Sequence, residues 1–379
     1  MNWQKNKPAF FPVLLALVCM GSGVAGQRMA LEAAVYQGSV WRHTPKLRTQ
    51  TGEVVGAQEL GVRVQMIGRR DWHAWQRYPS LGVSAAHFEL GTGNHGHAFA
   101  AIPWLNVPVF TSGRMRVNFR VGSGAARVSN PYNWWDNPQQ NAIGSHFNNI
   151  TQFRLGAEAR LNAHANLLLG GSFTHFSNGG IALPNFGVNI LSAWVGATWS
   201  PKPLKNEMYK PAGGSRKNIA QRWGGLFQTG YAAVQIATFD GPKYPVKAAG
   251  VSLFYHFNRL HRASAGIDYE MNVGVREWGL HSALFADEAA ARRGATRLAW
   301  FVGEEFLFGD IGIQLQAGRY FRGKFNAFTA KQLYSKLTMR YYLPAVFAPG
   351  FRLFAGITLK AHAFTAEYMA LNAGFAFAP

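Results

Sequence analysis

A histidine and a serine stand two residues apart in Phe173-Thr174-His175-Phe176-Ser177-Asn178. An imidazole that takes the proton of a hydroxyl turns a poor nucleophile into one able to attack an ester carbonyl. The spacing also sets direction. Side chains alternate along a strand with a period of two. The odd positions running back from His175 are Phe173, Gly171, Leu169 and Leu167, and the even ones are Thr174, Ser172, Gly170, Leu168 and Asn166. His175 and Ser177 therefore belong to the apolar face. If that face meets lipid, base and nucleophile lie on the outside of the protein at the edge of a bilayer, as a hydrolase of membrane lipids requires.

Other combinations carry less. His95 and His97 follow Gly93-Asn94 and read as a polar loop rather than a chelate. Gly122-Ser123-Gly124 lacks the strand-turn-helix setting of a nucleophile elbow, and nothing supports Ser145-His146. Glu304 and Glu305 are adjacent within a strand pattern, so one of them must face the apolar side or mark an interface or bulge. No motif points to a nucleotide, a redox cofactor or a structural metal, and hydrolysis by a serine and a histidine needs no cofactor.

The elements that would carry the pair alternate throughout. Phe153, Leu155, Ala157, Ala159 and Leu161 interleave with Arg154, Gly156, Glu158 and Arg160, and Ile311, Ile313, Leu315 and Ala317 with Gly312, Gln314, Gln316 and Gly318. Met115 to Val121 and Leu353 to Leu359 repeat the pattern. Segments of about ten residues bounded by turn residues are the signature of an outer-membrane barrel strand. A β-sandwich would alternate too. The other face is rich in Gly, Gln, Arg and Ser, however, and Trp41, Trp104, Trp199, Trp223 and Trp300 fall near strand ends, where interfacial girdles form. The fold class expected is an all-β, antiparallel transmembrane barrel of 12 to 16 strands. Residues 27–200 hold the candidate site, 201–222 form a loop or linker, and 223–379 add strands that we assign to the same barrel. Long loops are expected at 130–146 and 286–294.

Residues 1–26 read as a secretory signal, with Lys5 and Lys7 before an apolar run from Ala9 to Met20 and small residues at Val24-Ala25-Gly26. Its removal would take away Cys19, the single cysteine. The net charge of +20, from 38 basic and 18 acidic residues, would suit nucleic acid, but no nucleic-acid motif accompanies it. An anionic lipid surface is the better match, with lipopolysaccharide phosphates drawing Lys and Arg to the headgroup level. Excess basic residues that merely line lumen and loops would give the same total.

His175-Phe176-Ser177-Asn178-Gly179-Gly180, followed by Pro184-Asn185-Phe186-Gly187, resembles the signature of the lipid A 3-O-deacylase (PagL) family, also called acyloxyacyl hydrolases. The resemblance is strongest over about 145–200, and residues after 222 have no counterpart in the short eight-stranded members. It implies an enlarged outer-membrane enzyme that removes an ester-linked acyl chain from lipid A. Ser177 would be the nucleophile and His175 the general base, with Asn178 and the neighbouring Gly179 at the oxyanion hole. The family's third member is a glutamate where this chain has Asn189. An amide can orient the imidazole but cannot stabilise the imidazolium as a carboxylate does. Asn189 has the right phase, since Leu191, Ala193, Val195 and Ala197 continue its face. Two other readings stay open: a passive channel, favoured by the extra strands and polar lumen, and a non-catalytic barrel that keeps the scaffold.

Overall fold

The computed structural model describes residues 29–49, 52–91, 93–202, 204–236, 239–323, 332–344, 350–362 and 365–378. The signal expected over 1–26 lies outside them. Sixteen strands follow in chain order: β1 (Met29–Val40), β2 (Val54–Gln65), β3 (Ser80–Glu89), β4 (His97–Ser112), β5 (Met115–Val128), β6 (Phe147–Arg160), β7 (Ala165–Ser177) and β8 (Val188–Trp199), then β9 (Trp223–Gln235), β10 (Lys243–Asn258), β11 (His261–Asn272), β12 (Thr296–Phe308), β13 (Ile311–Arg322), β14 (Leu333–Tyr342), β15 (Phe351–His362) and β16 (Thr365–Phe377).

They close twice. β1 to β8 form one barrel, sealed by antiparallel pairing of β1 with β8, and β9 to β16 form a second, sealed between β16 and β9. The assignment of residues 223–379 to the same barrel is therefore corrected. Alternation tells which way each side chain points but not which strand seals the sheet, and eight-strand and sixteen-strand barrels share one period. By contacts the chain divides into a unit of residues up to Gln140, His146–Phe176 and Val188–Gly213, and a unit of Asn141–Ser145, Ser177–Gly187 and 214–379. The division between them after β8 falls at Gly213, within the Pro- and Lys-rich stretch.

In each barrel the period of two sorts the side chains as the sequence suggests. Leu31, Val35, Leu60, Leu155, Leu169 and Leu191 of the first, and Val251, Leu253, Val302, Leu315 and Leu371 of the second, are large, apolar and exposed. Among the described residues no helix is long and apolar enough to cross a membrane. The short helices α1 (Asp71–Trp75), α2 (Val273–His281) and α3 (Glu288–Ala295) lie in connections; α3 falls in the charged loop expected at 286–294, and α2 precedes it, beginning where β11 ends. α2 is capped by the Asn272 side chain, which accepts from Gly274 and Val275, satisfying two first-turn donors.

The interiors are polar but packed. In the first barrel Arg63 pairs with Glu158 at 2.6 Å, Arg120 with Glu32 at 2.8 Å and with Glu59, and Arg154 with Glu32 at 3.0 Å. The Arg154 guanidinium also lies 3.7 Å from the Trp194 ring centre. In the second, Glu305 takes Arg262 at 2.6 Å and Arg340 at 3.2 Å, Lys336 reaches Asp268 at 2.6 Å, and Arg297 bridges Glu270 and Glu367. Stripping water from such charges costs several kcal/mol each, and each is offset by an opposite charge, with hydrogen bonds added: Glu305 also accepts from Tyr342, and Asp268 from Tyr334 and Gln316. Glu304 and Glu305 divide as adjacency requires: Glu305 points in, whereas Glu304 points out to His261 at 3.1 Å.

Candidate active site

His175 and Ser177 end β7, and β8 runs back antiparallel beside it. The register sets His175 opposite Asn189 and Phe173 opposite Leu191. Burial follows the expected phase: Leu167 and Leu169 are exposed and Leu168, Ser172, Thr174 and Phe176 buried. Asn189, also outward in phase, is covered and only 4% exposed.

The Asn189 Oδ1 lies 2.5 Å from the His175 Nδ1. An amide oxygen can only accept, so this contact places the ring proton on Nδ1 and leaves the Nε2 lone pair free as a base. The resemblance led to expect this pairing, and the register provides it. No hydrogen bond joins His175 to Ser177 among the described residues.

Ser177, 3% exposed, makes other bonds. Its Oγ accepts from the Gly179 N–H at 3.1 Å and from Asn185 Nδ2 at 3.0 Å, and lies 3.3 Å from Asn185 Oδ1. Two donors thus converge on one point. Asn178, expected at the oxyanion hole, is used differently: its N–H donates to Asn185 Oδ1 at 3.0 Å. Its side chain ties the turn, accepting from Gly180 and Ala182 and donating to the Ala182 carbonyl and to Ser145 Oγ at 3.1 Å. Gly179 provides one of the converging donors. The other comes from Asn185, to which sequence reasoning gave no role although it stands in the Pro184-Asn185-Phe186-Gly187 motif. Ser145 likewise gains a partner that its local sequence did not suggest.

The turn has its shape because of glycine. Gly179 and Gly180 have φ of +65° and +81°, left-handed values that other residues adopt at a cost. A Cβ on Gly179 would stand 2.6 Å from that of Met369. Within the second unit the segment is held further: the Leu183 N–H donates to Gln235 Oε1 at 2.7 Å, the Gln235 N–H to the Gly180 carbonyl at 2.9 Å, and the Met369 N–H to the Gly179 carbonyl at 3.2 Å.

On the outward face Phe173 and Leu191 are the next residues along from His175 and Asn189. Phe119, Phe153 and Phe173 stack in a row, with ring centres 6.2 and 6.4 Å apart. With Leu191 they wall an open groove that also touches Gly38, Gly171 and Ala193. The remaining histidine candidates are elsewhere. His95 is buried against Gln140, Nδ1 to Nε2 3.1 Å, and burial pushes its pKa down to about 4; His97 opens β4 beside His87 and Phe99. Among the described residues no group of three His, Cys, Asp or Glu is arranged to hold a metal ion.

Residues 57–198 match the family model "Lipid A 3-O-deacylase (PagL)", and residues 221–379 match "Acyloxyacyl hydrolase, C-terminal domain". Solved structures to which the chain is similar include Neisserial surface protein A, 8% identical over 45% of this chain and 96% of that one with a TM-score of 0.33. Another is the outer membrane enzyme PagL, 18% identical over 44% of this chain and 97% of that one with a TM-score of 0.32. No curated protein matches the chain.

Proposed function

The chain belongs to the lipid A 3-O-deacylase (PagL) family and is an outer-membrane β-barrel protein, and from that premise we propose that it hydrolyses an ester-linked acyl chain of lipid A through Ser177 and His175. The observation that carries the reading is the convergence of the Gly179 N–H and Asn185 Nδ2 on Ser177 Oγ, two residues along the chain from an imidazole whose Nδ1 is engaged by Asn189.

In the resting state the serine oxygen occupies the point that the oxyanion would take. Catalytic hydrogen bonds in free enzymes are often not yet formed. The proposed reaction requires the Ser177 hydroxyl to turn from these donors to His175 Nε2, which does two things at once. It aligns the hydroxyl proton with its base, and it vacates the two donors for the carbonyl oxygen of the ester. Nε2 then takes the proton as Oγ attacks, and the tetrahedral oxyanion is held by Gly179 and Asn185. Collapse breaks the bond to the sugar oxygen, which leaves with the proton from His175. Water, deprotonated by the same nitrogen, attacks the acyl-serine and frees the fatty acid. The groove of Phe119, Phe153, Phe173 and Leu191 gives the acyl chain an apolar surface along β7 and β8, beginning at the residues next to His175 and Asn189.

Asn189 keeps the tautomer but brings no charge, so the imidazolium formed during attack is less stabilised than beside a glutamate. Slow turnover is the consequence. The interiors of both barrels are filled by ion pairs, so the reading rests on the outward face rather than on flux through a lumen.

The test is mass spectrometry of lipid A from cells whose outer membrane carries the protein, against cells without it. Loss of one acyl-chain mass is expected; unchanged lipid A beside protein verified as folded overturns the proposal. Asn185→Ala removes one of two oxyanion donors and is expected to lower kcat by about 10²-fold with KM nearly unchanged. Steady-state assay in detergent micelles checks it.

A further inference from the structure

The two barrels close over different lengths. β1 and β8 pair from Leu31 opposite Trp199 to Val40 opposite Ile190, most of both strands. Among the described residues β16 and β9 pair only from Phe377 opposite Gly225 to Leu371 opposite Tyr231, although β9 goes on to Gln235 and β16 begins at Thr365. Two backbone donors of that remaining stretch go to the turn that follows Ser177. The Gln235 N–H donates to the Gly180 carbonyl at 2.9 Å and the Met369 N–H to the Gly179 carbonyl at 3.2 Å. One strand from each side of the seam thus holds one of two successive carbonyls of the turn. We propose that the turn 178–183 completes this seam, and that β9 and β16 thereby fix the Gly179 N–H where it serves the oxyanion, with Gln235 as a positioning residue; the catalytic consequence, not the seam itself, rests on the deacylase reading.

The turn and the two strands belong to one unit of the chain, and three observations support the proposal. Gln235 is 8% exposed and grips the turn twice: besides its N–H, its Oε1 accepts from the Leu183 N–H at 2.7 Å, while its Nε2 donates to the Gly241 carbonyl at 2.9 Å. A buried N–H left without such an acceptor is costly. The fit is also close. A Cβ on Gly180 would stand 2.7 Å from the Glu367 carbonyl oxygen and 3.6 Å from the Val234 side chain. The strand ends are braced in turn, since Ala232 and Val234 of β9 and Tyr368 and Ala370 of β16 share a buried cluster with Val275 of α2 and Ala295 of α3. Gly179 transmits the hold: its carbonyl is fixed by Met369 and its own N–H points to Ser177 Oγ at 3.1 Å. A shift of about 1 Å in such a donor is enough to cost rate.

The experiment uses full-length protein in detergent micelles and the variant Gln235→Met, which keeps the length of the side chain and deletes its acceptor and its donor. Heat-modifiable gel migration checks the fold. Amide hydrogen exchange over peptides from 178–187, read by mass spectrometry, is expected to quicken about tenfold, the worth of one buried hydrogen bond. For lipid A, kcat is expected to fall about tenfold with KM unchanged, a smaller loss than removal of an oxyanion donor outright. Labelling of Ser177 by an alkyl fluorophosphonate, which draws on the same donors without any lipid A, is expected to slow in parallel. Unchanged exchange overturns the seam. Quickened exchange with kcat and labelling unchanged, or a rise in KM alone, overturns the positioning role. If the unaltered protein neither hydrolyses lipid A nor takes the label, the deacylase reading and the positioning role fall together, and exchange still decides whether the turn belongs to the seam.

Discussion

Ser177→Ala is expected to lower deacylation by at least about a thousandfold, to the level of membranes without the protein. Where a nucleophile and base act as a unit, removing the nucleophile alone costs nearly as much as removing the whole set, on the order of 10⁶-fold with a full triad. Here the drop starts lower, because Asn189 orients His175 without charge. The substitution deletes one oxygen from a residue 3% exposed and leaves Asn185 bonded to the Asn178 N–H, so the turn persists. Lipid A mass spectra and the heat-modifiable gel shift together separate lost chemistry from lost fold. Residual hydrolysis near the unaltered rate would move the nucleophile away from Ser177.

Glu59→Leu is expected to destabilise the first barrel by about 3 kcal/mol, since breaking a buried ion pair from one side leaves uncompensated charge. The Glu59 carboxylate meets Arg120, lies 3.5 Å from Arg154, and accepts from the Tyr36 hydroxyl. Its loss leaves two guanidiniums sharing Glu32 and a phenol without its acceptor. Urea titration in lipid vesicles, followed by gel shift, reads the effect as a lower midpoint. An unchanged midpoint would mean that water, not Glu59, solvates those arginines.

The outward phase of Leu167, Leu169 and Leu191, on the strands that carry His175 and Asn189, was legible because a strand's period is unaffected by its neighbours. Register was legible only in part: that Asn189 pairs opposite His175 depends on where the turn 178–187 returns the chain, and the family resemblance provided it. Asn185 was not legible as a donor, since it acts from inside a turn whose course is set by Asn178, two left-handed glycines and contacts with Gln235 and Met369, far along the chain. The sixteen strands could be traced one by one because each carries its own alternation. Their division into two barrels could not, because closure joins β1 to β8 and β9 to β16 through hydrogen bonds between backbones, which no side-chain pattern records.

That double seam bears on how the chain assembles. A single sixteen-stranded barrel would leave its first strand waiting at an open sheet edge until the last had been made. Here β8 reaches β1 with Trp199 opposite Leu31, so the first edge can be buried without any strand beyond β8. The entropy of ring closure rises only by about 0.6 kcal/mol per doubling of length, so the gain is small in equilibrium terms. It is larger in time, because an exposed edge is a template for wrong pairing while it lasts. Each half thus needs its own closing event at the membrane, β8 onto β1 in the first and β16 onto β9 in the second.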